Sequence, residues 1–187
     1  MAVAESPSDQ ASVSLRPEAD EDVPFLYALY ASTRVEELAV VPWTAEEKES
    51  FLRFQFAAQR RHYLEHYSGP DTHFDVIVRD GRPIGRWYVT PLEGGLQLVD
   101  VALLPEHRNA GIGTALMEEL LDRARRRRCR VTLHVEPFNP AKRLYERLGF
   151  HDVEQHGVYT FMEWRPEEHH RGDPVAKRPA SDTTGEH

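Results

Sequence analysis

Cysteine is nearly absent from this chain. Cys129 is the only one in 187 residues, so no disulfide can form within it. No apolar run approaches the roughly 18 residues that cross a bilayer. The first residues, MAVAESPSDQ, lack the basic start and apolar stretch of a secretory signal. These three absences together predict a reducing cytoplasm and no membrane partner. Positive charge is also in short supply, with 23 Lys and Arg against 31 Asp and Glu and a formal net charge of -8. That disfavours nucleic acid as a partner, because neutralising phosphates needs a basic surface. It is compatible with a cationic acceptor drawn in by the protein's field. The basic run Arg123 to Arg130 reads as the solvated last turns of a helix, where cations complement the dipole, with a phosphate or partner contact as the alternative.

Repeats and Gly/Ser-rich or Pro-rich linkers are missing too, so residues 13–165 read as one domain. The polar ends, 1–12 and 166–187, are expected to be disordered. His62 and His66 stand one helical turn apart, but without the H-E-x-x-H pattern or a third ligand they predict no metal site.

Hydrophobic periodicity divides the domain into elements. Ser12 to Arg16 alternates as a first strand. Asp20 or Asp22 is placed to cap a helix through Phe25, Leu26, Leu29 and Tyr30. Thr44 and Glu47 form a capping box that opens a longer helix to about Tyr67. Strands Phe74–Val78 and Ile84–Thr90 flank Asp80-Gly81, a hairpin turn. Leu96–Leu104 is almost wholly apolar, which suits a strand covered on both faces. Ile112, Leu116 and Leu120 then repeat as one helical row, with Met117, Leu121 and Ala124 beside it. Val131, Leu133 and Val135 alternate as a strand. A short helix follows on Ala141, Leu144, Tyr145 and Leu148, with Asn139 as cap, Pro140 as first residue and Gly149 as stop. Val158–Trp164 closes the domain as a strand. The plan is mixed α/β.

Chemistry concentrates in Leu96 to Thr114. A buried strand turns at Pro105 into a loop holding Gly111 and Gly113, and a helix starts there. Glycine lets the backbone approach a ligand, and the first N–H groups of a helix have no internal partner. Such a loop binds phosphate oxygens, with Thr114 and Arg108 at hand. It lacks the Lys-Ser/Thr pair of a nucleotide triphosphatase and the third glycine of a dinucleotide fold.

Arg108-Asn109-Ala110-Gly111-Ile112-Gly113 matches R/Q-x-x-G-x-G/A, a signature of the GCN5-related N-acetyltransferase (GNAT) superfamily. Asn139-Pro140-Ala141 with Tyr145, Gly149 and Phe150 resembles that family's second signature, at the usual distance. The resemblance covers roughly Val13 to Trp164. It implies a central, mostly antiparallel mixed sheet of about six to seven strands flanked by about four helices.

The resemblance also implies acetyl-coenzyme A as cosubstrate, no metal, and acetyl transfer to a primary amine, with a small-molecule acceptor expected. A protein or peptide acceptor, a longer acyl donor, and a non-catalytic acyl-coenzyme A sensor are the alternatives. Backbone groups of Arg108, Asn109, Ala110, Gly111, Ile112, Gly113 and Thr114 would hold the pyrophosphate. Leu103 and Leu104 would meet the pantetheine arm, and the Leu103 N–H would face the thioester oxygen. Asn139 would touch the cofactor arm, serve as a helix cap, or do both. Tyr145 would protonate the departing thiolate, with packing at the edge of the core as its other role. Asp100 interrupts an apolar strand, where a carboxylate is costly unless paired or used. It is a candidate to take the amine's proton, directly or through water, and equally a candidate structural partner for an arginine. Some family members carry the acid one residue earlier, where this chain has Val99. Glu36, Glu37 and Trp43 are candidates for holding a cationic acceptor. The chain is expected to act as a monomer or a homodimer.

Overall fold

The computed structural model describes residues 13–166. The expected disordered segments therefore lie outside the described residues, apart from Pro166. Seven strands form one sheet in the order β1-β2-β3-β4-β5-β7-β6. They are β1 (Val13–Pro17), β2 (His73–Arg79), β3 (Arg82–Leu92), β4 (Gly95–Leu103), β5 (Arg130–Val135), β6 (His151–His156) and β7 (Tyr159–Trp164). Every neighbouring pair is antiparallel except β4 with β5.

Five α-helices flank the sheet: α1 (Val23–Ser32), α2 (Val35–Ala39), α3 (Ala45–His66), α4 (Ile112–Arg127) and α5 (Lys142–Arg147). One face of the sheet is covered by α4 and α5. There Ile112, Leu116, Met117, Leu120, Leu121 and Ala124 of α4 are buried against Trp87, Val89, Leu96, Leu98, Val131 and Leu133. These are the two helical rows and the strand positions expected from periodicity, and each fully buried side chain contributes roughly 1.5–3 kcal/mol. On the other face lie α1 and α3, joined to each other through Leu26, Tyr30 and Phe56.

The local chemistry explains most boundaries. Thr44 Oγ1 accepts from the Glu47 N–H at 3.2 Å while the Glu47 carboxylate accepts from the Thr44 N–H at 2.7 Å, closing the capping box. Asp80 and Gly81 both take positive φ in the β2–β3 turn. Gly149 (φ 93°) ends α5, and Phe150 folds back to donate to the Tyr145 carbonyl at 3.0 Å. The basic run does end α4, with Arg125, Arg126 and Arg127 in its last turn.

The structure corrects several expectations. Asp22 does stand at the N-cap of α1 but makes no side-chain capping bond; its carboxylate instead pairs with Arg16 at 2.6 Å and accepts from the Ala19 N–H at 2.9 Å. An additional short helix, α2, precedes α3. Strand β6 reads His-Asp-Val-Glu-Gln-His and is exposed throughout, so it has no apolar alternation to betray it. Helix α5 starts at Lys142, although Asn139 Oδ1 does accept from the Ala141 N–H at 2.9 Å.

Gly85 in β3 marks a close approach of backbones. A Cβ there would lie 2.4 Å from the Ala102 carbonyl oxygen and 2.8 Å from a Leu103 methyl. Gly85→Ala is expected to lower stability by about 1–3 kcal/mol through forced separation of β3 and β4, read as a lower urea midpoint.

Candidate active site

Strand β4 carries one residue more than β3 where the two pair. Tyr88 faces Asp100 and Val89 faces Leu98, leaving Val99 over as a bulge. A bulge bends its strand and increases its twist. On the other edge, β4 pairs with β5 only from Gly95↔Arg130 to Leu98↔Leu133. Beyond that point β4 follows β3, and β5 follows β7 as far as Val135↔Thr160. The strands part, and a wedge opens between Val99–Leu103 and the end of β5.

Backbone direction in the wedge follows from one bond. Leu104 donates its N–H to the Ile84 carbonyl at 2.9 Å, toward β3. Alternation along a strand then turns the Leu103 N–H to the opposite edge, into the wedge. Arg108 Nε reaches back to the Leu103 carbonyl at 2.9 Å, on that same edge.

The bulge also decides where Asp100 points. Strict alternation would put Leu96, Leu98 and Asp100 on one face. With Val99 inserted, Leu96 and Leu98 face α4, while Asp100 shares a face with Tyr88 and meets α3. Asp100 forms an ion pair with Arg86 through Oδ2, and the same oxygen accepts from Tyr63 Oη of α3 at 2.9 Å. No described residue bonds Oδ1. Arg86 is buried, also donates to Gln59 at 3.1 Å, and its Nε has no partner. Burial, with the Asp100 charge, pushes the Tyr63 phenol well up, so it stays a donor. Arg86 and Tyr63 escaped the sequence reading. The signal for Arg86 was the one that flagged Asp100, a charge inside an apolar strand.

At the far end of the wedge stands the glycine loop. Asn109 (φ 58°) and Gly111 (φ 79°) both take left-handed backbone. Gly111 is the N-cap of α4, and the first helical bond runs from the Ala115 N–H to the Gly111 carbonyl at 3.0 Å. The N–H groups of Ile112, Gly113 and Thr114 thus precede any bond internal to the helix. Residues Arg108 to Gly111 are exposed, and a Cβ on Gly111 would meet nothing within 4 Å. An open cradle of donors at a helix's positive end fits phosphate oxygens.

Tyr145 projects from α5 into the α4-side core, where it is buried beside Phe150. Its hydroxyl bonds no described residue. Burial, and then the charge of Asp100, pushes its phenol up to about 12. It is therefore protonated at neutral pH and able to donate. Asp100 and Tyr145 are thus brought within electrostatic reach of one another.

The expected acceptor residues are not brought to this place by any bond or ring contact. Glu37 pairs with Arg34 at 2.9 Å, Glu36 is exposed, and Trp43 packs edge-on against Phe51 at 5.2 Å.

Comparison with known proteins agrees with this geometry. Residues 26–150 match the model of the acetyltransferase (GNAT) family, and the chain belongs to that family. Its fold is that of N-acetyltransferases. It resembles the Thermoplasma acidophilum PaiA N-acetyltransferase, solved with coenzyme A, at a TM-score of 0.63 and 21% identity, over 83% of this chain and 99% of that one. The Escherichia coli ribosomal-protein-S18-alanine N-acetyltransferase superposes at a TM-score of 0.53 and 19% identity, over 82% and 94%. In sequence, a Bacillus subtilis protein provisionally named [ribosomal protein bS18]-alanine N-acetyltransferase is 28% identical over 131 residues, 69% of this chain and 74% of that one.

Gly111→Ala tests the loop. Left-handed backbone costs a Cβ-bearing residue roughly 1–2 kcal/mol, and space is not limiting. The expected result is a lower urea midpoint together with weaker stabilisation by coenzyme A than in the unaltered chain.

Proposed function

We propose that this enzyme transfers the acetyl group of acetyl-coenzyme A directly to a primary amine within a ternary complex. The observation that carries this reading is the wedge. A strand edge with inward N–H and C=O groups leads to the unbonded N–H groups at the start of α4. The pantetheine arm would lie along Val99–Leu104 as an added strand, with the pyrophosphate on the backbone of Arg108 to Thr114 and Asn139 beside the arm.

In that arrangement the Leu103 N–H donates to the thioester oxygen as negative charge develops there. Donors of this kind contribute about 2.7–4 kcal/mol to lowering a barrier. Tyr145 Oη supplies the proton to the departing sulfur, for which its raised pKa and unbonded hydroxyl suit it. Asp100 provides negative charge on the face from which an amine approaches, and its Oδ1 is open to a proton directly or through water. No step requires a covalent acyl-enzyme.

The acceptor is a small-molecule amine on the first reading, although Glu36, Glu37 and Trp43, expected to hold it, make no contact with the wedge. A second reading, an N-terminal amine of a protein, is favoured by the 28% identity to the Bacillus subtilis protein. The chemistry at the wedge is the same for both. Thiol release with alanine-initiated peptides against polyamines and aminoglycosides separates them.

Coenzyme A at about 100 times its dissociation constant is expected to stabilise the chain by about 2.7 kcal/mol, roughly 5–10 °C in a thermal melt. No shift with any acyl-coenzyme A would remove the transferase reading. Tyr145→Phe is expected to lower kcat by about 100-fold or more while leaving coenzyme A stabilisation unchanged. Full turnover in that variant would take Tyr145 out of the acid role.

A further inference from the structure

Two aromatic side chains of α3 face away from the sheet. Phe56 and Tyr63 take the inner side of the helix, Phe56 buried with Leu26 and Tyr30 and Tyr63 bonded to Asp100. Phe54 stands two residues before Phe56, roughly opposite it around the helix, and is 69% exposed. Glu47, Phe51 and Phe54 follow one another at helical spacings of four and three, so they share that outer face. Trp43, just before α3, packs edge-on against Phe51 at 5.2 Å, and both rings still reach solvent. With Glu46, Glu47 and Ser50, these two rings line an open groove of about 430 Å³. Exposed apolar surface rimmed by charge marks a place where another protein binds.

We propose that this groove docks an arginine- or lysine-bearing segment of a protein acceptor, several residues downstream of the amine that enters the wedge. The proposal rests on the protein-acceptor reading above. An aromatic ring attracts a cation over its face, and the carboxylates beside Trp43 and Phe51 add to that attraction. The groove thereby selects among long acceptors without touching the reacting atoms.

Charge and distance carry the assignment. Glu46 is exposed and bonds no described residue, so its carboxylate is available. Glu47 accepts from the Thr44 N–H, which holds its carboxyl below the ordinary range and keeps it charged. No lysine or arginine lines the groove. Arg53, on the neighbouring side of α3, is spent on Glu49 at 2.6 Å and on the Tyr27 ring of α1 at 4.5 Å. The groove is therefore an acidic, aromatic surface without a cation of its own, on a chain whose net charge of -8 favours cationic partners. Between Phe51 and Tyr63, α3 rises about 18 Å, at about 1.5 Å per residue. Tyr63 is bonded to Asp100 at the wedge, so the groove and the reacting centre lie at the two ends of that span. A small amine cannot occupy both. An extended peptide gains about 3.3 Å per residue, so it reaches the groove from about its sixth residue onward when its first lies at the wedge.

The test is thiol release with three acceptors whose α-amine is their only amine. One is an alanine-initiated dodecapeptide with arginine from its sixth to its ninth position, the second has glutamine there, and the third is an alanine-initiated tripeptide. The unaltered chain is expected to show a KM about 10-fold lower for the arginine peptide than for the glutamine peptide, at equal kcat. Added salt should narrow that gap. Glu46→Arg and Phe51→Ala, both at exposed positions, are expected to abolish the preference while tripeptide turnover and coenzyme A stabilisation stay unchanged. Equal KM for the two long peptides in the unaltered chain, or a preference that survives both substitutions, would overturn the proposal. So would a self-associated chain that Phe51→Ala turns into a monomer in sedimentation, because a second copy would then cover the groove. Turnover with polyamines or aminoglycosides and with no peptide would instead refute the protein-acceptor reading, and the proposal with it.

Discussion

One extra residue in β4 governs the geometry of everything around it. In a sheet, each strand normally spends the backbone groups of both edges on its neighbours. Inserting Val99 keeps β4 attached to β3 while its tie to β5 ends at Leu98↔Leu133. The freed edge is held open by pairing on either side: β3 grips β4, and β7 grips β5. A backbone edge exposed in this manner is a template for an extended ligand. The same insertion reverses the face of Asp100 and sends Leu96 and Leu98 into the α4 core. A single local irregularity thus creates the cleft and selects which side chains border it.

The two faces of the sheet are fixed by different physics. Toward α4 the contact is apolar, with six buried residues of one helix against β3, β4 and β5. Toward α3 it is largely polar. Of the 22 residues of α3 only Phe56 is buried. The helix is instead tied down by Arg60 to Glu18, Gln59 to Arg86 and Tyr63 to Asp100, with Glu18 also accepting from Tyr88. Hydrogen bonds and ion pairs in a half-buried layer demand particular angles, so they set the position of α3 more strictly than apolar contact would. Removing one partner strands a buried charge, at a cost of several kcal/mol. Arg86 sits at the centre of this network, and through it the long helix and the wedge are mechanically connected.

The end of the wedge that suits phosphate is built from backbone, anchored by a well-buried helix. The end where the proposed amine would arrive is built from side chains on exposed surfaces. His134, His156 and Phe161 lie on one side, while Trp43 lies just before α3 and Phe51 on it. A constant ligand is met by constant groups, N–H and C=O, that tolerate many sequences. A variable ligand is met by residues free to differ. That division explains why the two glycine-bearing signatures are easy to read and the acceptor is not.

The sequence by itself determined the elements that depend on local chemistry. The Thr44–Glu47 box, the Asp80-Gly81 turn, the Gly149 stop and the rows of α4 all follow from short-range spacing. The loop at Gly111 follows as well, because left-handed backbone and helix initiation are both written within a few residues. Strand β6 could not be found this way. Its residues face solvent, and only its pairing with β7 makes it a strand. The partners of Asp100 were equally hidden, since Tyr63 lies 37 residues away in the chain. Register, bulge and face are relations between distant segments, and only the folded sheet decides them.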